Sequence, residues 1–435
     1  MGGMVINEKE KLIRIVILLG APFTEQNFER VGIPYLSKHF EVMVFDCTVW
    51  LGRNTENIKF QMVDWHNFLT IKSEIDLALQ IEKYRPHYAI DSIDHHVTHT
   101  DKILNILEEF MVRFVVVKSG SLPGLSLKSR IKNTFFGLSS KSIRVDSQVE
   151  TNARKELTSH TDLSSHTDLY RVATKMLYKL WDYFKRYLAY RRLNRFRPFI
   201  GLLAGNKSLN HYTRNSNPII WIGSNDYHTF KKAKSALEVN GALQLNEPFI
   251  LFIDDNLPNA SDWTLLGIQP PVTASLYYPA LTTFFAKIEA IYDMPVKIAG
   301  HPNSLTDRNF QFNMGGRSII FGDTAALALQ SSLVLVHGST ATSFAVLARK
   351  PTLFLTTQEL DRSTYGLHVR TMANSLGSRI IFIDQPVEQT TDIETILIND
   401  RKYKNYVENY IRNHQSSEDA PWMAFIEFIN KNRYV

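Results

Sequence analysis

The stretch VHGSTATSFAVLARKPTLFL (336–355) packs four features together: an apolar run, a turn of small and hydroxyl residues, a segment with helical spacing, and a second apolar run. An apolar run that ends in Gly-Ser-Thr ahead of helical spacing is a strand handing over to a helix. The return to "PTLFL" (351–355) closes a strand–helix–strand unit. Lys350-Pro351 marks where the helix stops, because proline cannot continue it. Parallel strands buried on both faces read as unbroken apolar runs, so the unit predicts a parallel sheet covered by helices. The turn also raises a chemical question. Gly338 lets the backbone come close to a ligand, and Ser339, Thr340 and Thr342 either cap the helix or bond phosphate oxygens. On this stretch alone both readings stand.

Working outward, the same alternation repeats. Strand-like runs occur at "FILFIDD" (249–255), "PVKIAGHP" (295–302), "SIIFG" (318–322), "LVLVHG" (333–338) and "RIIFID" (379–384). Helical segments lie around "PALTTFFAKIEAIY" (279–292), "DTAALALQS" (323–331) and "TATSFAVLAR" (340–349). The first half carries "LIRIVILLG" (12–20), "EVMVFDC" (41–47), "HYAIDSI" (87–93), "RFVVVKSG" (113–120), "FIGLLAG" (199–205) and "PIIWIGSNDY" (218–227), with a helix and connector at 228–248. This predicts an α/β protein of two Rossmann-like domains facing a cleft, 1–245 and 246–390. A helical tail, 391–435, is expected to pack back on the N-terminal domain.

Two segments break the rhythm. "SHTDLSSHTDLY" (159–170) repeats Ser-His-Thr-Asp-Leu and reads as a small duplication in a surface segment. The stretch 168–197 has an apolar and aromatic stripe and a face bearing Lys175, Lys179, Lys185, Arg186, Arg191, Arg192, Arg195 and Arg197. It predicts a basic amphipathic helix. Such a helix either packs on its own domain with a solvated basic face or meets an anionic membrane surface or glycan.

The totals bound the function. The chain has 435 residues, 44% hydrophobic and 21% charged, the profile of a soluble globular protein with room for two cores. No apolar run reaches transmembrane length, and acidic residues precede the first strand, so neither a membrane span nor a signal peptide is expected. The single cysteine, Cys47, excludes an internal disulfide and a multi-cysteine zinc site, and makes a reducing cytoplasm the simplest compartment. A net charge of +6 points to an anionic partner. Nucleic acid is not expected, because no recognition motif accompanies the charge.

Ligands of open α/β sheets bind beyond the carboxyl ends of strands. Three motifs of the second half fall there: Asp254-Asp255, His301-Pro302, and Gly338-Ser339-Thr340. One carboxylate of the acidic pair can serve as a general base, or the pair can simply shape a turn. His301 can donate to a phosphate, with Pro302 fixing the backbone beside it, or it can be a satisfied loop histidine. In the first half, Asp94, His95, His96 and His99 have the composition of a metal site; loop histidines clustered at a strand end are more often unliganded, and an acceptor contact by His95, His96 or His99 is the further reading, with no metal assigned.

In order and spacing, "FIDDN", "IAGHPNS" and "HGSTATSFAVLARKPTLFL" resemble bacterial GT-B glycosyltransferases of capsule and lipopolysaccharide synthesis. The sialyltransferase, polysialyltransferase and Kdo-transferase types are the most similar. The resemblance covers about residues 247–385. It implies that Asp254 or Asp255 deprotonates the acceptor hydroxyl. It implies that His301 contacts the nucleotide phosphate and helps CMP depart, and that Pro302, Gly338, Ser339, Thr340 and Thr342 form the phosphate seat. One-step displacement would invert the anomeric centre without metal or other cofactor. The donor implied is a CMP-activated sugar such as a nonulosonic acid or Kdo, and the acceptor a surface glycan or lipid-linked glycan. The enzyme would be cytoplasmic, with peripheral contact at the inner membrane. Asn256 stands where the acidic motif usually ends in glycine, so the base and donor sugar are left open. The alternatives are a UDP-sugar transferase, a non-hydrolysing UDP-sugar 2-epimerase, a CDP-alditol phosphotransferase and a non-catalytic glycan-assembly protein.

Overall fold

The computed structural model describes residues 12–53, 63–93, 100–124, 195–210, 212–242, 247–260, 263–264, 268–306, 310–385 and 397–432. Met1–Pro123 and Phe196–Val435 form one compact unit. The Ser-His-Thr-Asp-Leu repeat, His95, His96 and His99, and nearly all of the basic stretch 168–197 lie outside the described residues.

That unit holds two parallel sheets. The first comprises β1 (Arg14–Leu19), β2 (Glu41–Asp46), β3 (Phe68–Thr70), β4 (Tyr88–Ser92), β5 (Arg113–Lys118), β6 (Ile200–Ala204) and β7 (Ile219–Ile222). Their order across the sheet is β3-β2-β1-β4-β5-β6-β7. The second comprises β8 (Ile250–Ile253), β9 (Val296–Ala299), β10 (Ile319–Ile320), β11 (Leu333–Val336), β12 (Thr352–Thr356) and β13 (Ile380–Phe382), in the order β10-β9-β8-β11-β12-β13. In each, the chain steps outward from its first strand, then returns to that strand's other side. Each sheet therefore has one crevice where the winding reverses: between β1 and β4, and between β8 and β11. Such crevices are where doubly wound sheets receive ligands.

The helices are α1 (Glu25–Arg30), α2 (Ile33–Leu36), α3 (Glu74–Tyr84), α4 (Thr100–Glu109), α5 (Asn225–Val239), α6 (Ala274–Tyr292), α7 (Phe310–Asn313), α8 (Thr324–Gln330), α9 (Thr342–Leu347), α10 (Gln358–Asp361), α11 (Thr364–Leu376), α12 (Asp400–Tyr406) and α13 (Pro421–Lys431). Hydroxyl caps start several of them: Ser73, Ser224, Thr357 and Ser363 each accept a backbone N–H from the first turn. The sequence places α6 around 279–292. The helix instead begins at Ala274 and carries Pro279 inside it, at the cost of one backbone bond.

Two cores correspond to the two sheets. One gathers Ile15, Ile17, Val42, Val44, Ile90, Val115 and Leu202. The other gathers Phe252, Phe285, Ile298, Leu335, Phe354 and Val369. Phe230 of α5 belongs to the second core, so the chain crosses over just after β7, one helix ahead of residue 245. The tail divides between them. Tyr403 and Tyr406 of α12, with Ile411 beyond it, enter the second core. Trp422, Phe425, Ile426 and Ile429 of α13 enter the first. The chain thus crosses twice, and the crossings are bonded together: the N–H of Ser224 donates to the Ile411 carbonyl and that of Ser417 to the Trp221 carbonyl. No helix among the described residues is long and apolar enough to cross a membrane.

Candidate functional site

The crevice between β8 and β11 collects the acidic and hydroxyl motifs. Asp254 and Asp255 follow β8, and alternation along the strand sends them to opposite sides. Asp254 turns toward β9. Its Oδ1 accepts the Asn256 N–H at 2.9 Å, and its Oδ2 accepts the His301 N–H and the Ser304 hydroxyl, each at 3.4 Å. It is 3% exposed. Burial pushes its carboxyl up to about 7; the Asn256 hydrogen bond pulls the other way and the charge of Asp255 adds to the rise. Asp254 is therefore a clasp on the His301 loop.

Asp255 turns toward β11. Its Oδ2 accepts the Gly338 N–H at 3.0 Å and the Tyr365 hydroxyl at 3.0 Å. Its Oδ1 is buried and has no hydrogen-bond partner among the described residues. His368 Nε2 lies 2.9 Å from the Gly338 carbonyl. The peptide groups around Gly338 are thus held from both sides, by a carboxylate and by an imidazole. A Cβ on Gly338 would lie 2.8 Å from His368 Cδ2 and 3.2 Å from the Tyr365 hydroxyl, so only glycine fits without displacing the clamp.

Beyond Gly338 the backbone donors can be counted. The Ala341 N–H donates to Ser339 Oγ at 3.2 Å. Those of Thr342, Ser343 and Phe344 donate to carbonyls three residues back. Among the described residues nothing accepts from the N–H groups of Ser339 and Thr340. Ser339 is half-buried and Thr340 exposed, so two open amides and two hydroxyls remain at the tip. The helix expected at 340–349 is shorter, Thr342–Leu347, and Arg349 adopts φ 52° as it ends. Thr342 does not join the tip: it is fully buried, and its hydroxyl has no partner.

His301 is half-buried and Pro302 exposed at the start of a short turn (Pro302–Thr306) that comes after β9. Asp254 anchors the backbone of His301 and so sets where this loop leaves the sheet.

Three residues of the site escape the sequence reading. His337, one residue before Gly338, is fully buried: its Nδ1 faces the Leu355 carbonyl at 2.7 Å, so it donates there, and its Nε2 accepts from the Tyr277 hydroxyl at 2.9 Å. Burial lowers its tendency to protonate, and it acts as a neutral strut under the turn. Tyr365 and His368 come from α11 and stand three residues apart, on one helical face. The bounds of α11 were readable: Ser363 caps its start and Gly377, at φ 67°, closes its end. Among the described residues, no three His, Cys, Asp or Glu side chains gather as a metal site.

No protein-family model matches the sequence, and no curated protein does. Solved structures give distant likenesses. A UDP-GlcNAc 2-epimerase from Methanocaldococcus jannaschii is 12% identical with a TM-score of 0.46, over 97% of this chain and 100% of that one. The UDP-GlcNAc 2-epimerase of Neisseria meningitidis, solved with UDP-GlcNAc, is 13% identical with a TM-score of 0.45, over 97% and 100%. MurG of Acinetobacter baumannii is 9% identical with a TM-score of 0.42, over 97% and 99%. The two-sheet plan of the present chain is read from its own strand orders.

Proposed function

We propose that the chain is a glycosyltransferase of the GT-B plan that binds a nucleotide-activated sugar in the β8–β11 crevice. The observation that carries this is the glycine turn braced by Asp255 and His368 with the Ser339 and Thr340 amides left open. Preset N–H donors need no reorganisation when charge grows on a departing phosphate. In this scheme Ser339 and Thr340 hold the phosphate, and His301 approaches it from the neighbouring strand end. Asp255 Oδ1, buried without a partner, is the atom that takes the acceptor's proton. A buried unpaired carboxylate oxygen is costly unless something is meant to meet it. Single displacement from the far face inverts the anomeric centre. Resemblance of the three motifs favours a CMP-activated acidic sugar as donor and a surface or lipid-linked glycan as acceptor. The basic stretch 168–197 offers the same proposal a peripheral contact with an anionic inner membrane.

The test is a thermal-shift screen against CMP, UDP, GDP and CDP, followed by turnover of the matching nucleotide sugars. The account expects CMP to stabilise most and His301→Ala to lose most of the shift. Stabilisation by UDP alone would move the reading to a UDP-sugar transferase or 2-epimerase, and by CDP alone to an alditol phosphotransferase. No response to any nucleotide would leave a non-catalytic assembly protein.

A further inference from the structure

The other crevice, between β1 and β4, contains a cavity of about 420 Å³. That volume lies within the roughly 300–1,000 Å³ range of small-molecule sites. Three cations from three separate segments line it: Arg30 ends α1, Arg53 comes after β2 in the chain, and Lys118 ends β5. Among the described residues the one carboxylate in the lining is Asp91, which is buried and whose Oδ1 accepts the Ile93 N–H at 3.0 Å. Among the described residues the lining therefore has two more positive than negative groups. Trp422 of the tail, a member of the first core, also lines the cavity. None of these residues belongs to the nucleotide site in the β8–β11 crevice.

The cavity is joined to that site through α5. The Asn225 N–H and side-chain amide donate to Ser119, which also lines the cavity, at 3.0 and 3.2 Å. The next residue, Asp226, is hydrogen-bonded to Ser343 at the start of α9, and Arg30 lies within electrostatic reach of the same carboxylate. The cavity wall and the nucleotide turn thus rest on opposite sides of one helix start.

We infer that this cavity receives the acceptor, and that it does so through an anionic group on the acceptor, the carboxylate or phosphate of an acidic sugar. The word acceptor rests on the transferase reading; the preference for an anion rests on the cavity alone. Arg30, Arg53 and Lys118 grip the charge.

Isothermal titration of the full-length chain with glucuronate, glucose 6-phosphate and glucose at low salt tests this. Both or either acid should bind, with glucose at least about tenfold weaker, and affinity for the acid should fall as salt rises. Arg53→Gln and Lys118→Gln should each weaken the acid by about tenfold and leave nucleotide binding unchanged. The tighter acid identifies carboxylate or phosphate as the recognised group. Equal binding of glucose, no binding of either acid, salt-independent affinity, or full affinity in both variants would overturn the inference. Nucleotide binding without acid binding sinks this inference alone. Acid binding without nucleotide binding sinks the transferase reading and leaves the anion cavity standing.

Discussion

At the scale of single residues, Gly338 decides the site. A carboxylate and an imidazole hold its backbone, and the Tyr365 hydroxyl donates to that carboxylate. Gly338→Ala should displace His368 and weaken nucleotide binding by about tenfold, at a stability loss of about 1 kcal/mol from the crowded Cβ; titration with the preferred nucleotide, beside a melting curve, separates the two. Thr342→Val makes the opposite prediction. Its hydroxyl is buried and unpaired, so the isosteric change should leave nucleotide affinity untouched and stability equal or higher. Reduced affinity there would return Thr342 to the phosphate set. Asp255→Asn should keep nucleotide affinity and lower kcat by about 10²–10⁴-fold, the usual worth of a general base. Which way each carboxylate turns was not legible in Asp254-Asp255 as a sequence. Adjacent strand residues point apart, and only the neighbours of each show which way: His301 and Ser304 for one, Gly338 and Tyr365 for the other.

At the scale of elements, the strands were legible because parallel strands buried on both faces are continuous apolar runs; β1 and β11 each read off directly. What the sequence concealed were elements without a strong stripe. α11, TYGLHVRTMANSL, mixes polar and apolar residues and carries Gly366, whose missing Cβ avoids the Leu360 carbonyl at 2.1 Å. Two of the site's residues were hidden with it. The tail helix α13 was expected, and its anchor is specific. Gly32, at φ 76°, lies so close to Trp422 that a Cβ there would sit 2.3 Å from the indole. Trp422→Ala should cost about 3–5 kcal/mol, the range for a buried large aromatic, and should open the anion cavity on that side. Urea unfolding would measure the first and glucose 6-phosphate titration the second. A loss below about 1 kcal/mol would mean that α13 is not held by this side chain.

At the scale of the whole molecule, two doubly wound sheets share one unit, and their crevices meet at the start of α5. Buried acids at that scale leave a mark on stability. The carboxyl of Asp254 sits near 7 when folded against 3.8 for the ordinary group. Between those values the folded chain holds a proton that the unfolded chain has lost. This contribution is complete below about pH 4, declines as pH rises, and is gone above about 7, with a slope of about 1.4 kcal/mol per pH unit in between. Asp254→Asn should flatten this slope in denaturant midpoints measured from pH 4 to 8. An unchanged slope would place the titration elsewhere.

The central claim is that the open amides of Ser339 and Thr340 are the seat of a nucleotide phosphate. A crystal structure of the chain with the most stabilising nucleotide tests it directly. The account predicts a phosphate oxygen within hydrogen-bonding distance of both amides, with Asp255 and His368 still bracing Gly338. A nucleotide bound elsewhere, in the β1–β4 cavity above all, would contradict it.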